Sequence, residues 1–193
     1  MSAQQININK KSEEAMNSIL NEHKQLLEQF DFQQLSALVD PIQEAKVIFL
    51  IGMGRSGLMM KAAAMRLMHL GFTAYVVGET TTPAIGSGDL LIAGSGSGTT
   101  STVIRAAKTA KDQNAKVACF TTDAASELAA LSDYIVNIPA AQKQAHENTV
   151  SDQYAGSLFE QALLLFFDAL IQTLWSIDGS SAEELYKRHS NLE

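Results

Sequence analysis

The chain has 193 residues, 46% of them hydrophobic, enough to fill one sizeable core, and the expectation is a single α/β domain over residues 1–193. Its formal net charge is −7 and no run of Lys or Arg occurs, which argues against nucleic acid and anionic membranes as partners. Cys119 is the only cysteine, so an intramolecular disulfide is excluded. The polar start Met1-Ser2-Ala3-Gln4-Gln5 lacks the apolar stretch of a signal peptide, and a soluble, cytoplasmic protein is expected.

Met16, Ile19, Leu20, Leu26 and Leu27 recur at helical spacing and predict a helix over residues 12–30, after a frayed tail. A second helix is expected over 32–45, perturbed near Pro41. These form an N-terminal helical extension, residues 1–45. Strands and helices then alternate through a core at 46–138. The expected strands are 46–51, 72–77, 89–93, 116–121 and 134–138; the helices are 56–70 (closed by Gly71), 99–113 and 124–131. Cys119 falls inside the fourth strand as a buried, inert thiol.

Five short apolar strands joined by helices imply a parallel sheet covered by helices on both faces. In a flavodoxin-like order, 2-1-3-4-5, strands 1 and 3 lie side by side at the switch point where ligands bind. Residues 139–156, which include His146, lack apolar periodicity and read as a functional or contact loop. The apolar window 158–175 is interrupted by Glu160, Gln161, Asp168 and Gln172, so it reads as a buried helix rather than a membrane span. A short terminal helix follows Gly179 and completes a C-terminal extension, residues 157–193.

Two glycine-rich turns carry the chemistry. The first, Gly52-Met53-Gly54-Arg55-Ser56-Gly57, follows the first strand and opens a helix; the second, Ser95-Gly96-Ser97-Gly98-Thr99-Thr100, follows the third. Such turns present backbone amides with little obstruction, and a helix N-terminus adds partial positive charge, so both suit an anion. The first turn spells G-x-G-x-x-G, the dinucleotide fingerprint, which also has a plain reading as a tight strand-to-helix turn. A nicotinamide site needs an acid about 20 residues on, and Glu79 is the nearby candidate. Arg55 and Ser56 look aimed at a small anion instead, and neither turn has the Gly-Lys-Ser/Thr ending of a P-loop. The second turn offers the hydroxyls of Ser95, Ser97, Thr99 and Thr100 beside Gly96 and Gly98. A cap by Thr99 would use only one of them, and the surplus favours a phosphomonoester.

Glu160 has two readings. Leu163, Leu164 and Phe167 make an apolar stripe around it, and desolvation there would push its carboxyl toward the range of a general base. Alternatively, Ser157-Leu158-Phe159-Glu160 is an S-x-x-E capping box. Of the histidines, His23 reads as a solvated helix residue, His69 as a helix-end residue, and His189 as part of a polar terminus. No His, Cys or acidic cluster has metal-ligand spacing, so no metal is expected.

The first turn with Leu58, the run Ala64-Met65-Arg66-Leu67-Met68-His69-Leu70-Gly71, and Val76-Val77-Gly78-Glu79-Thr80-Thr81-Thr82-Pro83-Ala84-Ile85 resemble the sugar isomerase (SIS) family. With the second turn, Leu158-Phe159-Glu160-Gln161 and Lys187-Arg188-His189-Ser190-Asn191-Leu192-Glu193, the resemblance narrows to the 6-phospho-3-hexuloisomerases. It covers nearly everything after about residue 12 and departs at Thr99, where many members carry a charged or longer polar residue. The resemblance implies a flavodoxin-like SIS fold, no cofactor and a homo-oligomer, commonly a tetramer. It also implies interconversion of D-arabino-hex-3-ulose 6-phosphate and D-fructose 6-phosphate, a step of the ribulose monophosphate route of formaldehyde fixation. By matching positions, Ser56 and the second turn would bind substrate, Glu160 would be the base, and His189 a second site residue, supplied by its own or a neighbouring subunit. The competing class is a sugar-phosphate sensor, since SIS domains also serve as regulatory modules.

Overall fold

The computed structural model describes residues 8–140, 151–154 and 156–192. Helix α1 (Ile8–Gln29) starts earlier than residue 12, so residues 8–11 are helical rather than part of a tail. Its buried residues, Glu22, His23 and Leu26, all lie in its C-terminal part. The single helix expected over 32–45 is two, α2 (Phe32–Ser36) and α3 (Val39–Glu44). The break precedes Pro41, which has no amide to donate and would clash in a continuous helix. Restarting at Val39 puts Pro41 in a first turn, where an amide has no intrahelical acceptor in any case.

The core then runs β1 (Ile48–Gly52), α4 (Gly54–His69), β2 (Ala74–Val76), β3 (Leu90–Gly94), α5 (Ser101–Asp112), β4 (Lys116–Thr121), α6 (Glu127–Leu131) and β5 (Tyr134–Asn137). The strands form one sheet in the order β2-β1-β3-β4-β5 with every neighbour parallel, the flavodoxin-like order expected. Helix α6 begins later than residue 124 because Ser126 is its cap, accepting from the Ala129 amide at 3.3 Å.

Side chains alternate strictly along the strands. Ile48, Leu50, Leu90, Ile92 and Phe120 join one core layer, and Phe49, Ile51, Leu91, Val117 and Cys119 the other. The first layer packs against α1 to α4 and α7 (Ser157–Asp178), the second against α5 and α6. Each fully buried Leu or Ile contributes roughly 1.5–3 kcal/mol, which fixes the register: a one-residue slip would exchange the two layers. Cys119 is fully buried, and burial pushes its thiol up to about 11, so it is inert at neutral pH.

Helix α7 has the length and apolarity of a membrane span, and Phe159, Leu163, Phe167, Leu170 and Leu174 are inside this domain. Phe166 stacks on Phe30 at 4.0 Å between ring centroids, tying α7 to the end of α1. The helix outlasts the expected end at 175 and stops at Gly179 (φ 73°), whose amide reaches the Trp175 carbonyl at 2.9 Å. The last helix, α8 (Ala182–Tyr186), opens on a full capping box between Ser181 and Glu184. Of the loop expected at 139–156, residues 141–150 and 155, His146 among them, lie outside the described residues.

Candidate active site

The pairing of Gly52 with Gly94 across β1 and β3 brings the two glycine-rich turns side by side at the carboxyl edge of the sheet. In the first turn the glycines are explained by packing. A Cβ on Gly57 would lie 2.7 Å from the Gly52 carbonyl oxygen, and Gly54 has φ 59°. That backbone-on-backbone contact starts α4 directly at the strand end. It buries Ser56 and leaves the Arg55 side chain half exposed in the first helical turn.

The second turn is held from beneath. The Gly96 carbonyl accepts from the Thr122 amide at 2.9 Å and from the Thr121 and Thr122 hydroxyls at 3.1 and 2.8 Å. Gly98 has φ 61°, and a Cβ there would overlap the Ser126 hydroxyl, so only glycine fits. The four hydroxyls are partly engaged with each other. Ser95 and Thr100 bond across the base of the turn at 3.0 Å, and Ser97 Oγ accepts from the Thr99 amide and hydroxyl. Thr99 is not the helix cap: the N-cap residue of α5 is Thr100, with no side-chain cap bond. Ser97 is half-buried and Thr99 exposed, so both face outward from the turn.

The start of α7 completes the crevice. A Cβ on Gly96 would touch the Phe159 ring at 3.2 Å, so the first turn of α7 lies directly on the second glycine-rich turn. From the other side, Arg55 Nη1 donates to Ser157 Oγ at 3.1 Å and lies 3.2 Å from Glu160 Oε2. Glu160 is only 2% exposed. Of the two readings of Glu160, the capping box with Ser157 does not form. The N-cap is Gly156 in the left-handed conformation, Ser157 is already helical, and its amide donates to the Tyr154 carbonyl at 3.0 Å. A buried carboxylate beside a half-exposed guanidinium, next to two amide-rich turns, can exchange a proton with a bound anion's carbon skeleton.

Arg55, Ser56, Ser95, Gly96, Ser97, Gly98, Thr99, Thr100 and Glu160 therefore lie together at the carboxyl edge of the sheet, and Ser157, Thr121 and Thr122, which the sequence did not single out as site residues, support them. Their signal is their place: Thr121 and Thr122 end β4 at the same sheet edge. His189 is not in this crevice. Its ring stacks on His69 at the far end of α4, about 20 Å along the helix from Arg55 at 1.5 Å per residue. His23 is not solvated: it is buried, with Nε2 3.1 Å from Gln161 Oε1 on α7. His69 is the helix-end residue expected, and buried. Glu79, the acid a nicotinamide site would need, is ion-paired with Lys61 at 2.6 Å.

The SIS domain family matches residues 41–165, which span both turns and Glu160. The chain belongs to the SIS family. A 3-hexulose-6-phosphate isomerase of Mycobacterium gastri is 53% identical to this SIS chain over 163 residues, 84% of this chain and 82% of the relative. One of Bacillus subtilis is 42% identical over 184 residues, 95% of this chain and all of the relative. A crystal structure from Methanococcus jannaschii, from which a molecular function as 3-hexulose-6-phosphate isomerase was inferred, superposes with a TM-score of 0.81 at 34% identity, covering 93% of this chain and 99% of that one. Within the SIS family, this chain groups with these isomerases.

Proposed function

We propose that the chain interconverts D-arabino-hex-3-ulose 6-phosphate and D-fructose 6-phosphate through a cis-enediol, as the 3-hexulose-6-phosphate isomerase step of formaldehyde fixation by the ribulose monophosphate route. The observation that carries this reading is the convergence of Arg55, the second glycine-rich turn and Glu160. The phosphate is assigned to Ser97, Thr99 and the amides of the second turn at the head of α5. Arg55 and Ser56 bind the sugar at the first turn.

Glu160 takes the proton from C2 while O3 gains one, giving the enediol; O2 then loses its proton and C3 receives one. One carboxylate serves both carbons, and Arg55 offsets the charge that gathers on the oxygens. The carbonyl moves within one molecule, with no net oxidation, so the step needs no redox cofactor. The 3-ulose cannot close a furanose through O6, which carries the phosphate, so the forward reaction needs no ring opening. That leaves His189 the transfer of protons between O2 and O3.

His189 can serve only in trans, because α4 separates it from the crevice of its own chain. The assembly is a homo-oligomer, with a tetramer as the reading carried from the resemblance, in the cytoplasm. Exposed Leu58, Met65, Met68 and Leu165 offer apolar surface on α4 and α7 for a second copy. Mixing Glu160→Gln subunits with His189→Ala subunits, under verified exchange, should restore activity; none restored would contradict a site shared between subunits. The function itself is tested by turnover of the hexulose phosphate. Saturable binding without turnover would favour the sensor.

A further inference from the structure

We propose that His69 is a positioning residue for His189, a flat buried platform that fixes the plane of the His189 imidazole before it meets a neighbouring copy. The inference rests on the reading of His189 as a shared-site residue.

Helix α8 is five residues long, has no fully buried residue and meets the core only through the half-buried Leu185, so its own packing holds the segment that follows weakly. That segment is docked by other contacts. The His189 ring lies on the His69 ring with centroids 3.9 Å apart and planes 21° from parallel. Tyr186 stands beside the same ring at 5.4 Å and 30°. Arg188 Nη1 donates to the His69 carbonyl at 2.9 Å, and a Cβ on Gly71 would come within 3.2 Å of that guanidinium. Upstream, Trp175 Nε1 donates to the Ser180 carbonyl at 2.7 Å and fixes the turn into α8. The end of α4 thus holds Arg188 by its backbone and His189 by a side chain.

The choice of an imidazole here is not explained by stability. His69 is 6% exposed, and its Nδ1 has no hydrogen-bond partner among the described residues, where an apolar side chain would leave no polar atom unsatisfied. The ring's proton affinity is lowered by burial, then by His189 and by Arg66. The charged or titratable groups around it are Arg66 on α4, whose partner is Asp168 of α7 at 3.8 Å, Tyr186 on α8, and Arg188 and His189 beyond it. Its lowered proton affinity keeps the platform neutral at the ordinary imidazole pKa and somewhat below it. Acidification through the lowered value puts a charge against Arg66 and His189 and undoes the stack.

The test compares kcat and KM for the hexulose phosphate in His69→Ala, His69→Phe, His189→Ala and the double alanine variant, at about pH 8, well above the lowered value of His69. It also follows the His189 ring proton by NMR. A misplaced site residue predicts a kcat about tenfold lower for His69→Ala with KM within about twofold. His69→Phe, which keeps a flat ring, should recover kcat to within about threefold, and the double variant should be no slower than His189→Ala alone. The His189 resonance should carry an upfield ring-current displacement in the wild type and His69→Phe that is absent in His69→Ala. Normal kcat in His69→Ala beside a slow His189→Ala, effects that multiply in the double variant, or an unmoved resonance would each overturn the platform alone. Normal kcat in His189→Ala would overturn the shared-site reading, and the platform with it.

Discussion

Glu22 and Glu160 are the two buried carboxylates among the described residues, and their surroundings could hardly differ more. Glu22, on α1, accepts from the Ser151 hydroxyl at 2.7 Å, the Asp152 amide at 2.9 Å and Gln153 Nε2 at 2.8 Å. Burial alone would raise its pKa, but these donors outweigh burial and hold it below the ordinary carboxylate value. Gln153 is in turn bonded by Gln161, and Gln161 faces His23. Glu22 is a fastener for the approach to α7. Glu160, one helical turn into α7, is more deeply buried, and a half-exposed arginine stands over it at the mouth of the crevice. A carboxylate surrounded by fixed neutral donors is built to stay ionised. Glu160 lies beside a half-exposed cation at the sheet edge, where a ligand can reach it, and in the proposed reaction it is the group that exchanges a proton.

The largest expected effect separates the two. Glu160→Gln should lower kcat by roughly two or more orders of magnitude while sugar-phosphate binding persists. Glu22→Gln should leave kcat per folded molecule nearly unchanged and lower stability by about 1–3 kcal/mol, since an amide turns a donor toward donors. Denaturant titration beside steady-state kinetics checks both, and a kinetic defect in Glu22→Gln as large as that of Glu160→Gln would erase the distinction.

Next in size is Gly98→Ala. It forces an alanine to φ near 61° against Ser126 and should destabilise by about 1–3 kcal/mol while raising KM through a distorted turn. Ser97→Val tests the same turn without backbone strain and should raise KM more than it lowers kcat. Unchanged kinetics in both would remove this turn from the site.

Acid sharpens the contrast further. Because the Glu22 pKa is lowered in the fold, its contribution to stability is fully present above the ordinary value of 4.5 and is lost as pH falls through the lowered one. Stability followed by denaturant at a series of acid pH values should therefore fall more steeply in the wild type than in Glu22→Gln. Parallel curves would mean that Glu22 does not fasten this segment. The smallest effect is expected at Lys61 and Glu79, an ion pair with both side chains about half exposed. Lys61→Ala should change stability by less than about 1 kcal/mol and leave dinucleotide binding undetectable, as in the wild type. Saturable binding of a dinucleotide in either protein would revive the nicotinamide reading.

Most of the fold was legible because it is written in local patterns. The parallel sheet followed from five apolar runs with intervening helices, and the meeting of the two turns from a flavodoxin-like order with its switch point between strands 1 and 3. The break within 32–45 was legible only as a perturbation near Pro41, because the preference for Pro41 in a first turn competes with an otherwise continuous apolar pattern. The site was legible in part. Glu160 and Arg55 stood out as residues, but their pairing spans the whole core and has no local signature. The S-x-x-E spacing at Ser157 misled because Gly156 takes the cap position, while the same spacing at Ser181 does form the box. The burial of His23 and the stack of His69 on His189 depend on contacts between distant elements, which periodicity does not carry.

The central claim is that Glu160 moves the proton between carbons. Fructose 6-phosphate incubated with the enzyme in deuterated water should acquire deuterium at C3 as the enediol forms and collapses, and Glu160→Gln, folded and still binding the sugar phosphate, should abolish that exchange along with turnover. Exchange at near wild-type rate in Glu160→Gln would contradict the account and leave Glu160 a structural residue of α7.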